Sequence, residues 1–460
     1  MTGELGGRAA DALAIWQAGV AAVQPSQAVP AALAAASIPW VQVPRCWVVG
    51  GGKAGSAMAE ATARFLRDKG LPSERLAGWV NVPAESARPL PGITLHPARP
   101  LGINYPTAAA VAGSEQILSL LDRVGPGEWI LCLISGGGSA LLCAPAPGLT
   151  LEDKQQTTQL LHRSGADIRE MNTVRKHLSR IKGGGLTQRL FARGDHGQRL
   201  LGLVISDVIG DPLDVIASGP TCPDPTTFGE ALEIVERRGL RAELPAAVLA
   251  RLERGRAGQE AETLKKLPEG PAGEALVLHR LIASQRHAVQ AAAAAAKRLG
   301  YEPQAEEQPF AGDVLAEVKR VATQLREHLA RTVGRPLALI AGGEPTVVLP
   351  PQPGRGGRNQ HFILALAAEL TPAEWDRVTV LCAGTDGEDG PTDAAGAFLD
   401  RERAARLRGQ PLAEHLARFD AYPLLDAADA LVRTGLTDTN VMDLRVMLLH
   451  QASSGPAGGA

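Results

Sequence analysis

Two short apolar runs in this chain each end in three consecutive glycines. Residues 46–49 run into Gly50, Gly51 and Gly52, followed by Lys53, Ala54 and Gly55, and residues 129–134 run into Ser135, Gly136, Gly137, Gly138 and Ser139. An apolar run without polar alternation is a strand covered on both faces, the usual state of a strand in a parallel sheet. A glycine-rich turn then hands the chain to the helix that covers it. The spacing therefore predicts an α/β fold, with strands over 46–49, 77–82, 93–96, 129–134 and 200–205. Helices are predicted over 10–23, 54–66, 107–121, 151–163 and 174–181. The rhythm resumes further on, with strands over 276–283, 337–340, 346–349 and 378–382 and helices over 288–299, 314–329 and 360–370.

With 460 residues, the chain is long enough for two to four domains at roughly 100–200 residues each. The charged, glycine-containing stretch over 251–273 is poor in large apolar residues and is the expected linker or exposed excursion, separating domains over 1–250 and 274–450. The last ten residues, 451–460, are small and polar and are expected to be a disordered tail. Lys plus Arg number 47 against 49 Asp plus Glu, a balance that argues against a nucleic-acid partner. No apolar run approaches the ~20 residues of a membrane helix. Glu4, Arg8 and Asp11 break the basic-then-apolar layout of a leader. The five cysteines form no CxxC pair and read as buried thiols, so the expected location is the cytoplasm. The sequence is silent on oligomeric state.

The chemistry-bearing residues cluster where strands should end. Gly50, Gly52 and Gly55 satisfy GxGxxG, a dinucleotide pattern that also wants an acid about 20 positions on, and none stands near the end of the second strand. Lys53 is followed by Ala54, so this is not a phosphate loop of the GK[ST] kind. Both glycine loops can offer backbone N–H groups to an anion, with a plain tight turn as the alternative reading of each. Two such loops at the carboxyl ends of parallel strands are more telling, because ligands of open α/β sheets bind along that edge. Asp207, Asp211 and Asp214 follow the strand over 200–205, where carboxylates can hold magnesium or take a proton. Glu344, Arg355, Arg358 and Asn359 flank a glycine-rich helix start suited to gripping carboxylate or phosphate. Asp386, Glu388, Asp389 and Asp393 crowd the loop after 378–382, without the spacing of a calcium loop.

The strings VVGGGKAGSAM, ISGGGSALL, NTVRKHLSRIKGGGL, ISDVIGDPLDVIASGPTCPDPTTF, AGGEPTVVLPPQPGRGGRNQ and AGTDGEDGPTDAAGA resemble, in order, the class II glycerate kinases with a C-terminal MOFRL domain. That resemblance implies a Rossmann-like parallel-sheet N-terminal domain, a smaller C-terminal α/β domain with a mixed sheet, and an active site in a cleft between them. The implied reaction is phosphorylation of D-glycerate at its 2-hydroxyl, with ATP and Mg2+. By motif, Lys53 would neutralise the transferring phosphoryl group, and Arg358 would hold carboxylate or phosphate with Asn359 beside it. Gly51, Gly52 and the run Ser135, Gly136, Gly137, Gly138 and Ser139 would bind substrate or phosphate. Asp207 would act as base or metal ligand, and Asp386 and Asp389 would complete a metal site. Members of the family also carry the name hydroxypyruvate reductase, so a nicotinamide-dependent reductase is one alternative and a non-catalytic metabolite binder another. Where relatives show Glu after RNQ and TGTNVNDL near the end, this chain has His361, Asp438 and Met442.

Overall fold

In the computed structural model, which describes residues 7–100, 103, 105–331 and 335–450, the expected alternation of strand and helix builds two compact units. The expected tail at 451–460 lies outside the described residues. One unit is Pro25–Ile282. Its sheet contains β1 (Cys46–Gly51), β2 (Leu76–Pro83), β3 (Ile93–Arg99), β4 (Trp129–Ile134), β5 (Arg199–Ile205) and β6 (Val277–Ala283) in the order β3-β2-β1-β4-β5-β6. β1 pairs in parallel with β2 and with β4, and the β2–β3 and β4–β5 pairs are parallel as well. The chain thus steps outward from β1 to β3 and returns to the other side at β4, so the β1/β4 boundary is the switch point where such sheets bind ligands. Both faces of the central strands are buried: Trp47, Val49 and Cys132 pack with Ile117 and Leu118 of the helix Ala108–Leu121, while Val48 and Leu131 are sealed on the opposite side.

A second core in this unit joins the helices Leu151–Arg163, Ile168–His177, Phe228–Arg237 and Ala246–Arg256 through Leu161, Val174, Phe228, Leu232 and Leu252. The helix Ile168–His177 starts earlier than the apolar spacing predicts. Asp167 accepts from the N–H groups of Arg169 and Glu170, and Glu170 reaches back to the Asp167 N–H, a reciprocal cap that fixes the start.

The other unit runs from Ala283 onward together with the stretch up to Gln24. Its strands are β7 (Glu302–Ala305), β8 (Phe310–Asp313), β9 (Leu337–Thr346), β10 (Val378–Gly384), β11 (Gly396–Leu399), β12 (Leu431–Val432) and β13 (Asp443–Leu449), ordered β12-β11-β10-β13-β9-β7 with β8 also on β9. β13 is antiparallel to β9 and β10, whereas β7 and β8 are parallel to β9, so the sheet is mixed as expected. One face is covered by the helices Val314–Arg331 and Arg358–Glu369 and the other by Arg8–Ala22 and Gln285–Arg298.

Three expectations change. The helix Arg8–Ala22 belongs to the unit of β9, β10 and β13, where Ile15, Trp16 and Val20 fill the core and Trp16 Nε1 donates to Ala383 O at 3.3 Å. An apolar helix face is buried against whichever sheet leaves a face open, and sequence adjacency does not decide which. The stretch 251–273 is not an interdomain linker: it begins inside the helix Ala246–Arg256 and leads to β6 of the same unit. Its charges hold it down, with Glu260 paired to Arg251 and Arg254, and Thr263 donating to buried Asp224. Finally, β9 is a single strand through Gly342 and Gly343, and Val348, expected in a strand of its own, is 90% exposed.

Candidate active site

At the switch point the two glycine loops interlock. The Lys53 N–H donates to Gly136 O at 2.8 Å, the Ala54 N–H to Ser135 Oγ at 3.0 Å, and the Ser135 N–H to Gly51 O at 3.4 Å. Glycine is required because the loops touch backbone to backbone. A Cβ on Gly52, whose φ is +154°, would lie 2.0 Å from Ser135 Oγ, and one on Gly50 would lie 1.9 Å from Leu133 O. The same contacts bear on Gly51 and Gly52, expected to bind phosphate. The Gly52 N–H is directed to Asn81 O and the Gly55 N–H to Gly52 O, so the first loop spends its amides inside the protein. The stem of Lys53 lies against Gly137, its Cγ 3.4 Å from where a Cβ there would sit.

The second loop gathers polar groups of a different kind. Ser139 Oγ accepts from Arg175 Nη2 at 2.6 Å and from Lys182 Nζ at 2.9 Å, and Lys182 Nζ also donates to Ser139 O at 2.8 Å. The hydroxyls of Ser139 and Ser218 share a hydrogen bond of 3.0 Å, and Ser218 donates to Asn172 Oδ1 at 3.1 Å. Ser218 is held there by a strained turn, since it and Ala217 both sit in the left-handed region at φ +63° and +51°. Burial, then the neighbouring Arg175, pushes the Lys182 ammonium well below the ordinary lysine range. Sequence reasoning missed Arg175, Lys182, Asn172 and Ser218 as site residues. The signal available was the string NTVRKHLSRIKGGGL, in which basic residues stand at positions that turn out to be buried.

The acids after β5 separate. Asp207 follows the strand by two residues and is half-buried on the same sheet edge as the glycine loops. Asp214 is drawn to Lys176 at 3.4 Å, which also meets the fully buried Asp224 at 3.1 Å, and Asp211 serves a turn at φ +55°.

In the other unit the predicted residues Arg358, Asn359 and Asp389 are brought together. Asp443 grips Arg358 through Nε at 2.6 Å and Nη2 at 3.0 Å, while Glu344 takes Nη1 at 2.6 Å. Burial opposes the charge on Arg358, and Asp443 and Glu344 more than restore it, so its pKa rises. Asp389 accepts from the Asn359 N–H at 3.1 Å, Asn359 Nδ2 at 3.2 Å and the Gln360 N–H at 2.9 Å. It caps the helix Arg358–Glu369, whose own N-cap residue, Gly357, has no side chain to do so. Both oxygens of Asp389, expected as a metal ligand, are thus engaged by the helix start. Asp386 Oδ1 accepts from the Glu388 N–H at 3.1 Å in the loop after β10. Among the described residues no group of three or more His, Cys, Asp or Glu is placed to hold a metal ion, and the five cysteines are free and buried. No helix among them is long and apolar enough to cross a membrane.

Comparison with known proteins agrees with this architecture. The family described as Domain of unknown function (DUF4147) matches residues 11–253, and the MOFRL family matches residues 337–443. The chain is 37% identical over 354 residues to the glycerate 2-kinase of Pyrococcus horikoshii, covering 76% of this chain and 77% of that protein. It is 39% identical over 416 residues to a putative hydroxypyruvate reductase of Agrobacterium vitis, covering 88% of this chain and 87% of that one. The crystal structure of a glycerate kinase from Thermotoga maritima superposes with a TM-score of 0.81 at 32% identity, over 96% of this chain and 99% of that chain.

Proposed function

The chain belongs to the glycerate kinase family with DUF4147 and MOFRL domains, and on that premise we propose that it transfers the γ-phosphoryl group of ATP to the 2-hydroxyl of D-glycerate, forming 2-phosphoglycerate and ADP. The observation that carries this reading is the cationic lining of the switch-point loops, where Lys53 lies against Gly137 while Arg175 and Lys182 converge on Ser139. Phosphoryl transfer asks a protein for positioned positive charge more than for covalent chemistry. In this reading Lys53 neutralises the charge that builds on the moving phosphoryl group. Asp207, at the end of β5, takes the proton of the attacking hydroxyl. Asp386 would hold Mg2+, which would supply neutralising charge at the ATP phosphates when bound. Arg358, held flat by Asp443 and Glu344, presents its remaining N–H groups to a phosphate or carboxylate oxygen.

The reductase alternative has less support. The amides that a dinucleotide fingerprint would turn toward a pyrophosphate are spent on Asn81, Gly136 and Ser135, and β2 ends in Asn81, Val82 and Pro83 with no carboxylate for a ribose. The test is ADP release from Mg-ATP and D-glycerate, with enolase added to the product. Enolase consumes 2-phosphoglycerate directly, whereas 3-phosphoglycerate needs a mutase first. ADP with an enolase-competent product supports the proposal. A folded protein that releases no ADP, or a product inert to enolase, overturns it.

A further inference from the structure

We propose that Arg175 and Lys182 are the specificity-determining grip on the carboxylate of the hydroxy-acid substrate, an assignment that rests on the kinase reading above. Several buried cations of this chain meet carboxylates: Lys176 has Asp224, Arg251 has Glu260, and Arg445 has Glu317, whereas Lys154 donates to the carbonyl of Leu178. Arg175 and Lys182 meet a shared hydroxyl instead. Among the described residues neither has a carboxylate within 4.0 Å, although both converge on one hydroxyl and Lys182 is 2% exposed. A buried and a half-buried cation side by side without a counterion are costly, and an anion arriving between them removes that cost.

The hydrogen bonds show where the anion is needed. Ser139 Oγ already accepts from both cations, so its own proton goes to Ser218, which in turn donates to Asn172 Oδ1. Asn172 Oδ1 also receives Arg175 Nη1 at 3.4 Å. Every proton in this chain of bonds is therefore directed inward to Asn172. Among the described residues the remaining N–H groups of Arg175 and the third of Lys182 are given no acceptor. The amides of Gly136 and Gly137, next to Ser139, are likewise given no acceptor among the described residues. A flat guanidinium edge matches the two coplanar oxygens of a carboxylate. The floor is closed, with Ser218 fully buried and Asn172 4% exposed, which suits a small group entering from one side.

The experiment measures wild-type melting temperature with D-glycerate, with its uncharged amide and with inorganic phosphate, and steady-state kinetics of Arg175→Gln and Lys182→Gln. The assignment expects stabilisation by glycerate and none by the amide. It also expects glycerate KM to rise about tenfold or more in each variant while ATP KM stays within about twofold. Stabilisation by phosphate but not glycerate would assign the pair to a phosphoryl group and overturn the proposal, as would a rise in ATP KM with glycerate KM unchanged. If a variant fails to fold, the wild-type ligand series decides alone. If the protein proves inactive as a kinase yet glycerate stabilises wild type and not Arg175→Gln, the grip stands and the kinase reading falls.

Discussion

Asp443 holds Arg358 with both carboxylate oxygens, at 2.6 and 3.0 Å, from a buried position at the start of β13. The grip fixes the plane of the guanidinium, and a lysine at 358 would keep the charge and lose the plane. Arg358→Lys is expected to lower kcat/KM for glycerate phosphorylation by about tenfold or more with little change in melting temperature. Unchanged turnover would make Arg358 a strut between two acids and nothing further. Asp443→Asn should destabilise the chain by about 1–3 kcal/mol, less than for a sealed ion pair because the Arg358 side chain is 32% exposed.

Lys53 stands at the turn out of β1, where its side chain does not contribute to the cores of the sheet. Lys53→Ala is expected to reduce turnover by about 10² or more while leaving thermal unfolding close to wild type. ADP release and a melting curve on the same preparation check both halves.

The interlocked loops predict that Gly52 and Gly148 respond differently to the same substitution. Both have positive φ, +154° and +79°, but a Cβ at Gly52 would strike Ser135 Oγ at 2.0 Å whereas one at Gly148 meets nothing within 4 Å. Gly148→Ala should cost about 1 kcal/mol from backbone conformation alone. Gly52→Ala should cost clearly more, and urea unfolding that gave equal losses would count against the close approach.

Burial, and after it the charge of Asp443, pushes the Asp389 carboxyl up to about 7 despite the amides of Asn359 and Gln360. The folded chain then holds a proton that the unfolded chain releases near pH 4. The stability contributed by that proton is complete below about pH 4 and is lost as the pH rises through about 7. Melting temperature should therefore fall between pH 5 and 8, and Asp389→Asn should remove that slope even if it lowers stability overall. A slope that survives the substitution belongs to other groups.

The sheet around β1 and β4 was legible because each strand is an unbroken apolar run and each loop is marked by glycines that close contact demands. The Arg175 and Lys182 pair was not, because lysines, arginines and asparagines at buried positions erase the apolar spacing by which a buried helix face is recognised. Asp389 shows a second limit: a carboxylate in a glycine-rich loop looks the same in sequence whether it caps a helix or binds a metal. The left-handed backbone of Met442, at φ +71°, is a third, because no residue type there announces it. It is held by Thr385, whose hydroxyl and N–H both donate to Met442 O.

The helix Arg8–Ala22 packs on the helix Gln285–Arg298 and on β10 and β13, so its partners lie several hundred residues downstream. On a ribosome adding roughly 5–20 residues per second, it emerges well ahead of them and waits tens of seconds. Through that interval Ile15, Trp16 and Val20 have no native surface to cover, while the sheet of β1 to β6 can already assemble. β13, made after the other strands of its sheet, completes the surface that receives this helix.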